Sequence, residues 1–543
     1  MSERRLGTAH GGYGMPHWLS VLACTLLCVT PVAHALSPPD ILVVAQSIDD
    51  ILSLDPAEGF ELSSLQIENN TYQRLVEPDP DHPEVLNPIL AAAWNTGPIS
   101  NSLIFELRTT AKFSSGRPLR PEDVIFSLTR AVRMNRAPVF ILNELGWNAG
   151  NIDRALIRVD ATHVQLNWYA HIGPALALSI LTSPVASVLD ATEVTSHAAP
   201  ADGSTEAVGN AWLKLHSAGS GPFAIRRYLP REALVLQVNP YAANPPRLKT
   251  VVIRNVTDAA TRRLLVEVGD ADIARDLGPD QIAALAGKTD LKTLEFPSAT
   301  VDYLLLNAAS TTNSALGNPA LWEAARWLID YQGIADHLLK GEYRVHQAFL
   351  ASGFPGALDD TPYHLDVAKA KTILKGAGLD GGLVIRLEVM NQPPYVDIAQ
   401  SLQATFAAAG IRLEIVPELA SQVYANLRAR NVQASWLYWV PDYYDANSSA
   451  GAFALNREDG TRTLAWRAGW HIPQLTAQVQ AAALEENPRT RLAEYRAIQA
   501  DVQRNSPCIV ALQARSEVVM RKNVAGYRQN LDAEMVYYDR VTK

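Results

Sequence analysis

Asp442 and Asp445 stand three residues apart in the stretch Trp439-Val440-Pro441-Asp442-Tyr443-Tyr444-Asp445, among three aromatic rings. Paired carboxylates in such surroundings have three chemistries open to them. They can cleave a glycoside, which needs two carboxyls at a set separation across the bond. They can ligate a metal. They can also neutralise a cationic group drawn out of water, and an aromatic face then adds about 0.5–2 kcal/mol. The plainer role is turn chemistry, an Asp before Tyr-Tyr satisfying turn amides. Nothing in the spacing places a second acid across a substrate. The chain lacks H-E-x-x-H, G-x-S-x-G and C-x-x-C patterns. Its histidines are scattered, and His337 and His346 share no ligand spacing. The sequence therefore predicts no enzyme, no metal and no cofactor, with a secreted hydrolase using the Asp pair as the rival. Gly219 and Gly221 with Pro222 read as a tight turn, since no helix with a Lys follows as a phosphate loop requires.

The elements that must position these acids alternate as in an α/β fold. Ala434 to Val440 is an apolar run, read as a buried strand that delivers Asp442 at its carboxyl end. In open α/β sheets ligands sit beyond the carboxyl ends of strands. Faces alternate along a strand, so Trp436 and Tyr438 point one way and Leu437 and Trp439 the other. Upstream, Leu383, Ile385, Leu387 and Val389 alternate with period two. Ile398, Leu402, Phe406 and Ala409 then fall at helical spacing, with Gly410 as the stop, and Ile411, Leu413 and Ile415 alternate again. A strand, helix and strand of that length predict a right-handed crossover and parallel pairing. Asp366 is placed to cap a helix through Val367, Ala370 and Leu374, and Ser421 to cap another through Val423 and Leu427. In the other half, Leu103 to Leu107 reads as a strand. A strong helix starts at Pro121-Glu122-Asp123, with Pro in the first turn and acids at the positive end.

The 543 residues predict two or three domains. The N-terminus reads as a secretory signal over residues 1–35: Arg4 and Arg5, an apolar run from Trp18 to Val32, then Ala33-His34-Ala35. That run is 15 residues and contains Pro31, short of the roughly 20 that a spanning helix needs. Of three cysteines, Cys24 and Cys28 fall in the signal and Cys508 stands alone, so the mature chain cannot close an internal disulfide. Losing Glu3, Arg4 and Arg5 removes a net +1 and turns −9 into −10. An acidic chain without a basic stripe argues against nucleic acid and against adhesion to anionic lipid.

A set of fragments then resembles one family. They are Leu54-Asp55-Pro56, Ala93-Trp94, Phe105-Glu106-Leu107-Arg108, and the run from Phe113-Ser114-Ser115-Gly116 to Pro121-Glu122-Asp123-Val124. Further on come Gly219-Ser220-Gly221-Pro222-Phe223, Val238-Asn239-Pro240-Tyr241 and Asp302-Tyr303-Leu304-Leu305-Leu306-Asn307. In number, order and spacing they resemble the bacterial family 5 extracellular solute-binding proteins, the peptide- and nickel-binding receptors of ATP-binding-cassette (ABC) importers. The resemblance covers nearly the whole mature chain. It implies an α/β two-lobed periplasmic-binding-protein clamshell (class II, cluster C) with an extra domain inserted in the N-terminal lobe. Lobe one would comprise 36–77, 190–274 and 513–543, the insert 78–189, and lobe two 275–512. It implies a monomer in the periplasm that passes its ligand to permease transmembrane subunits with cytoplasmic ATPase subunits.

The resemblance also implies site residues. Asp442 occupies the position of an Asp that pairs with a peptide's α-amine in peptide-binding members. Tyr443, Trp439 and Trp436 would line the cleft, and Asn307 would face it. Asp445 is a turn former or hinge cap, or a ligand contact. Dipeptide receptors carry an Arg for the ligand carboxylate where this chain has Pro393, within Gln392-Pro393-Pro394-Tyr395. Gln392 and Tyr395 remain as polar contacts. The ligand is thus expected to be a short peptide or another amine-bearing solute, the alternatives being a nickel complex, haem, an opine or an oligosaccharide.

Overall fold

The structure is a computed structural model that describes residues 37–199, 207–392, 394–457, 463–531 and 535–543. The proposed signal segment and Pro393 lie outside the described residues, as do Cys24 and Cys28. Residues 36–543 form one compact unit.

Its backbone is a mixed sheet of 11 strands among the described residues. At one end, Ile41–Gln46 pairs in parallel with Thr250–Asn255 and Ile273–Arg275, and the hairpin Phe223–Leu229/Ala233–Val238 extends that edge. At the other end Val384–Met390 pairs in parallel with Arg412–Glu418 and with Ala434–Trp439. This is the expected parallel unit, and the helix Tyr395–Ala408 connects its first two strands. Gly410 follows at φ +89°, the left-handed region that a side chain would strain, so the helix stops where the glycine stands.

Two long strands, Leu291–Leu306 and Cys508–Arg521, run antiparallel through both halves. At about 3.3 Å per residue each is long enough to cross from one lobe to the other. Their register shifts between Pro297 and Val301, and again between Asp302 and Tyr303. A bulge of this kind bends a strand and leaves peptide groups unpaired. Here Gln513 meets the gap, its side-chain amide donating to Ser298 O at 2.6 Å and Ser352 O at 3.1 Å.

Residues 91–167 build a separate four-stranded antiparallel sheet, against which the helix Pro121–Met134 packs its apolar face. The helix begins as expected: Asp123 Oδ2 accepts the Arg120 N–H at 2.9 Å. This insert is tied to the first lobe by a buried ion pair. Both guanidinium branches of Arg130 meet Asp55, at 2.9 and 2.6 Å, and Asn210 adds a donor at 2.8 Å. Breaking such a pair by deleting one partner costs about 3–5 kcal/mol, which is the physical content of Leu54-Asp55-Pro56. Gly219 and Gly221 serve close approach: a Cβ on either would lie 2.1 or 2.5 Å from the Thr71 carbonyl group.

One local expectation differs. Ser421 caps nothing; the helix is Ala420–Arg428, Leu419 holds the cap position and Ser421 lies inside the first turn. The segment after Arg275 packs with the first half, since Leu277 and Leu285 bury against Val266, Leu291 and Val519.

Candidate functional site

Where the lobes face each other there is a cavity of about 360 Å³. Phe60, Leu62, Leu65, Pro138, Ile141 and Val185 form its wall on the first lobe and insert. The second lobe supplies Tyr303, Tyr424, Tyr438, Trp439, Asp442 and two cations, Arg428 and Arg467. The strand Ala434–Trp439 ends at the cavity, and Val440 and Pro441 carry the chain along its wall to Asp442.

Asp442 is half-buried, and its carboxylate accepts no hydrogen bond among the described residues. Only its backbone is engaged, the N–H donating to Ser448 Oγ at 2.8 Å. Loss of water pushes its carboxyl up to about 8; the nearby Glu144 charge adds to the rise and the Arg467 guanidinium opposes it. Glu144, just past the insert's helix Val139–Asn143, is itself raised to about 7 by burial, against the Tyr443 hydroxyl that hydrogen-bonds to it. Two desolvated acids from opposite lobes thus share one field. A cation entering beside Asp442 would relieve it.

Trp439 lines the cavity, with its indole N–H on Ser449 Oγ at 3.2 Å. Tyr438, on the adjacent face, lines it too. The strand's last residues run free of neighbours on one side, so alternation does not sort them into core and cleft.

Other expected residues have different employment. Trp436 is fully buried and donates its indole N–H to Asp302 Oδ2 at 3.1 Å, so it is core and lines no part of this cavity. Asn307 is 1% exposed and clamps a loop, donating to Arg430 O and Val432 O at 3.1 and 2.8 Å. Tyr443 is buried in the insert's apolar cluster, its hydroxyl donating to Glu144 Oε2 at 2.7 Å, so it is a clasp between lobes rather than a cavity wall. Gln392 is exposed and turns back to Met390, while Tyr395 is buried near Tyr438; neither lines the cavity.

Asp445 is consumed by structure. It caps the helix Ala446–Phe453, accepting from the Asn447 N–H at 2.8 Å. Arg491 grips both its oxygens at 3.0 and 2.7 Å, and Ser179 of the insert donates to it at 3.1 Å. That takes Asp445 out of the acid pair that hydrolysis with Asp442 would need. The cap is present, and the remaining bonds join this acid to Arg491 and to the insert. Glu144, Arg428 and Arg467 were not singled out by the sequence. Glu144 ends a short helix without any motif. Arg428 closes an ordinary amphipathic helix whose cavity-facing side only packing reveals. No group of three or more metal-ligating side chains occurs among the described residues, and no described helix is long and apolar enough to cross a membrane.

Comparison with known proteins follows the same lines. The family described as bacterial extracellular solute-binding proteins, family 5 Middle, matches residues 85–461. The Escherichia coli (strain K12) protein named Probable D,D-dipeptide-binding periplasmic protein DdpA is 27% identical over 95% of this chain and 97% of its own. The glutathione-binding protein GsiB of Salmonella choleraesuis (strain SC-B67) is 23% identical over 94% and 95%. Among solved structures, HbpA2 from Haemophilus parasuis superposes with a TM-score of 0.77 at 20% identity, over 92% of this chain and 99% of that one. The dipeptide binding protein from Pseudoalteromonas sp. SM9913 in complex with Met-Leu gives 0.75 at 17%, over 93% and 100%. These likenesses establish the two-lobed fold.

Proposed function

This chain belongs to the bacterial extracellular solute-binding proteins, family 5, and on that premise we propose that it captures a short peptide or related amine-bearing solute between its lobes in the periplasm. Members of the family are solute-binding receptors that work with ABC permeases, not enzymes, and this chain is a substrate-binding protein of such an importer. The ligand's ammonium pairs with Asp442, and the closed receptor, as a monomer, hands it to the transmembrane subunits.

The observation that carries this reading is the Asp442 carboxylate: desolvated, without a hydrogen-bond donor among the described residues, and facing the interlobe cavity at a strand's carboxyl end. A buried acid in that condition is stabilised by a cation that brings its own donors. Closure follows from the same geometry. A ligand shifts the open–closed balance only by its differential affinity, and a cation beside Asp442 also eases the field it shares with Glu144. The names of the D,D-dipeptide-, glutathione- and dipeptide-binding relatives support a peptide.

The test is native mass spectrometry of what co-purifies, then calorimetric titration of that compound and of a dipeptide panel into wild type and Asp442→Ala. Loss of binding by Asp442→Ala with an unchanged apo melting temperature is expected. Equal affinity in both proteins removes Asp442 from the site.

A further inference from the structure

The insert and the second lobe also meet away from the interlobe cavity. The backbone N–H of Gly173 donates to Ala483 O at 2.9 Å, and the Ser179 hydroxyl donates to Asp445 Oδ2 at 3.1 Å. Gly173 opens the insert's helix Pro174–Ile180, and Ala483 follows the second lobe's helix Pro473–Ala482. Ala483 and Tyr443 bury in the insert's apolar cluster, at 7% and 3% exposure. The Tyr443 hydroxyl adds its bond to Glu144. Gly173, Ser179, Tyr443, Asp445 and Ala483 all lie off the cavity wall.

Each half of this contact is braced within its own lobe. In the insert, Trp168 donates its indole N–H to Ile172 O at 3.0 Å and holds the chain that leads into Gly173. In the second lobe, Arg491 ties both contact points together, gripping Asp445 and donating from Nε to Ala482 O at 3.3 Å. Contacts between preorganised parts lose little freedom on forming. The clearest sign is at Gly173. Its φ of −79° and ψ of 164° are extended backbone that any residue adopts, so no turn there demands a glycine. A Cβ would lie 3.2 Å from Leu484 O and 3.4 Å from Ala483 O. The glycine permits close approach of the two lobes.

We propose that this contact is a latch that holds the lobes shut without ligand, so that the receptor rests closed and admits its ligand only when the latch opens. The latch stands apart from the amine-capture reading: it acts whatever the ligand, since none of its residues lines the cavity. Opening draws the Tyr443 ring and the Ala483 methyl group from an apolar cluster into water and parts three hydrogen bonds. The ligand then adds its differential affinity to a balance already set towards the closed form. If these contacts merely accompany closure by ligand, the ligand-free protein stands open and latch variants leave its lobe separation unchanged.

The experiment is double electron–electron resonance on the mature chain, with spin labels on Ala149→Cys in the insert and Gln480→Cys in the second lobe. Both positions are exposed, while Cys508 is buried and escapes labelling. Ligand is stripped by unfolding in guanidinium chloride and refolding, and native mass spectrometry checks that none remains. The labelled parent is compared with the same protein carrying Gly173→Val or Ser179→Ala, and melting curves check that each folds. We expect the parent to show one main separation, that of the structure. Gly173→Val should shift most of the population to a longer separation, and Ser179→Ala a smaller share. A longer separation as the main population of the parent overturns the latch. A distribution that neither variant changes also overturns it. Should Gly173→Val fail to fold, Ser179→Ala decides by itself. Either overturning result leaves the amine-capture reading standing, because no ligand is present.

Discussion

Asp442 and Asp445 are the same residue type, three positions apart on one turn, yet the fold uses them in opposite ways. Asp445 is surrounded by donors: the Asn447 amide, the Ser179 hydroxyl and both arms of Arg491. Its bonds join the second lobe to the insert and fix the start of a helix. Asp442 has lost water, its carboxylate meets no donor among the described residues, and it lines a cavity within the field of Glu144. An internal partner makes an acid structural; the lack of one among the described residues, in a closed space, leaves it open to the ligand proposed above.

The sharpest break of this contrast is by exchange of consequences. Asp442→Ala should cost ligand affinity about 3–5 kcal/mol, more than about 100-fold in the dissociation constant, measured by titration. Its apo melting temperature should hold or rise, because a poorly solvated carboxylate has been removed. Asp445→Ala should do the reverse. It strands the Arg491 guanidinium, 13% exposed, without its carboxylate, and destabilises the fold by about 3–5 kcal/mol, seen as a lower melting temperature with or without ligand. Should Asp445→Ala leave the melting temperature unchanged, the structural assignment of that acid is wrong.

A pH series sharpens the same comparison. The Asp442 carboxyl is raised from 3.8 to about 8 and Glu144 from 4.5 to about 7. Both therefore bind protons more tightly when folded. Their contribution to apo stability is fully present below about pH 4 and is lost as pH rises towards 8. Arg467 is the cation that opposes the rise at Asp442. Asp442→Asn should flatten the fall in melting temperature between about pH 5 and 8. Binding of an ammonium ligand should release protons in that window, read from calorimetry in buffers of different ionisation enthalpy.

The smallest expected effect is at the clasp. Tyr443→Phe removes one hydroxyl that donates to Glu144 at 2.7 Å. It should weaken closure, and with it ligand affinity, by about 1–2 kcal/mol. An unchanged affinity would mean that this contact forms without contributing to the closed state.

Much of the frame was legible in residue order. Period-two and helical spacing from 383 to 418 predicted a parallel unit, and the pairing of Val384–Met390 with Arg412–Glu418 carries it. Local chemistry sufficed there, because a strand's faces and a helix's caps are set by neighbours in sequence. The proposed site was legible only in part. Asp442 and Trp439 follow directly from the end of a strand, and both line the cavity. Trp436 and Asn307 looked the same in sequence and are buried among local partners instead.

By itself, then, the sequence determined the alternation of strands and helices, the family, and the acid that stands at a strand's carboxyl end. Tertiary structure alone decided that Glu144, 298 positions before Asp442, would share its field, that Arg491 would neutralise Asp445, and that Arg428 would face the same cavity. The reason is physical: a side chain's charge state and availability depend on which distant groups desolvate or pair with it, and that is settled only when the two lobes pack.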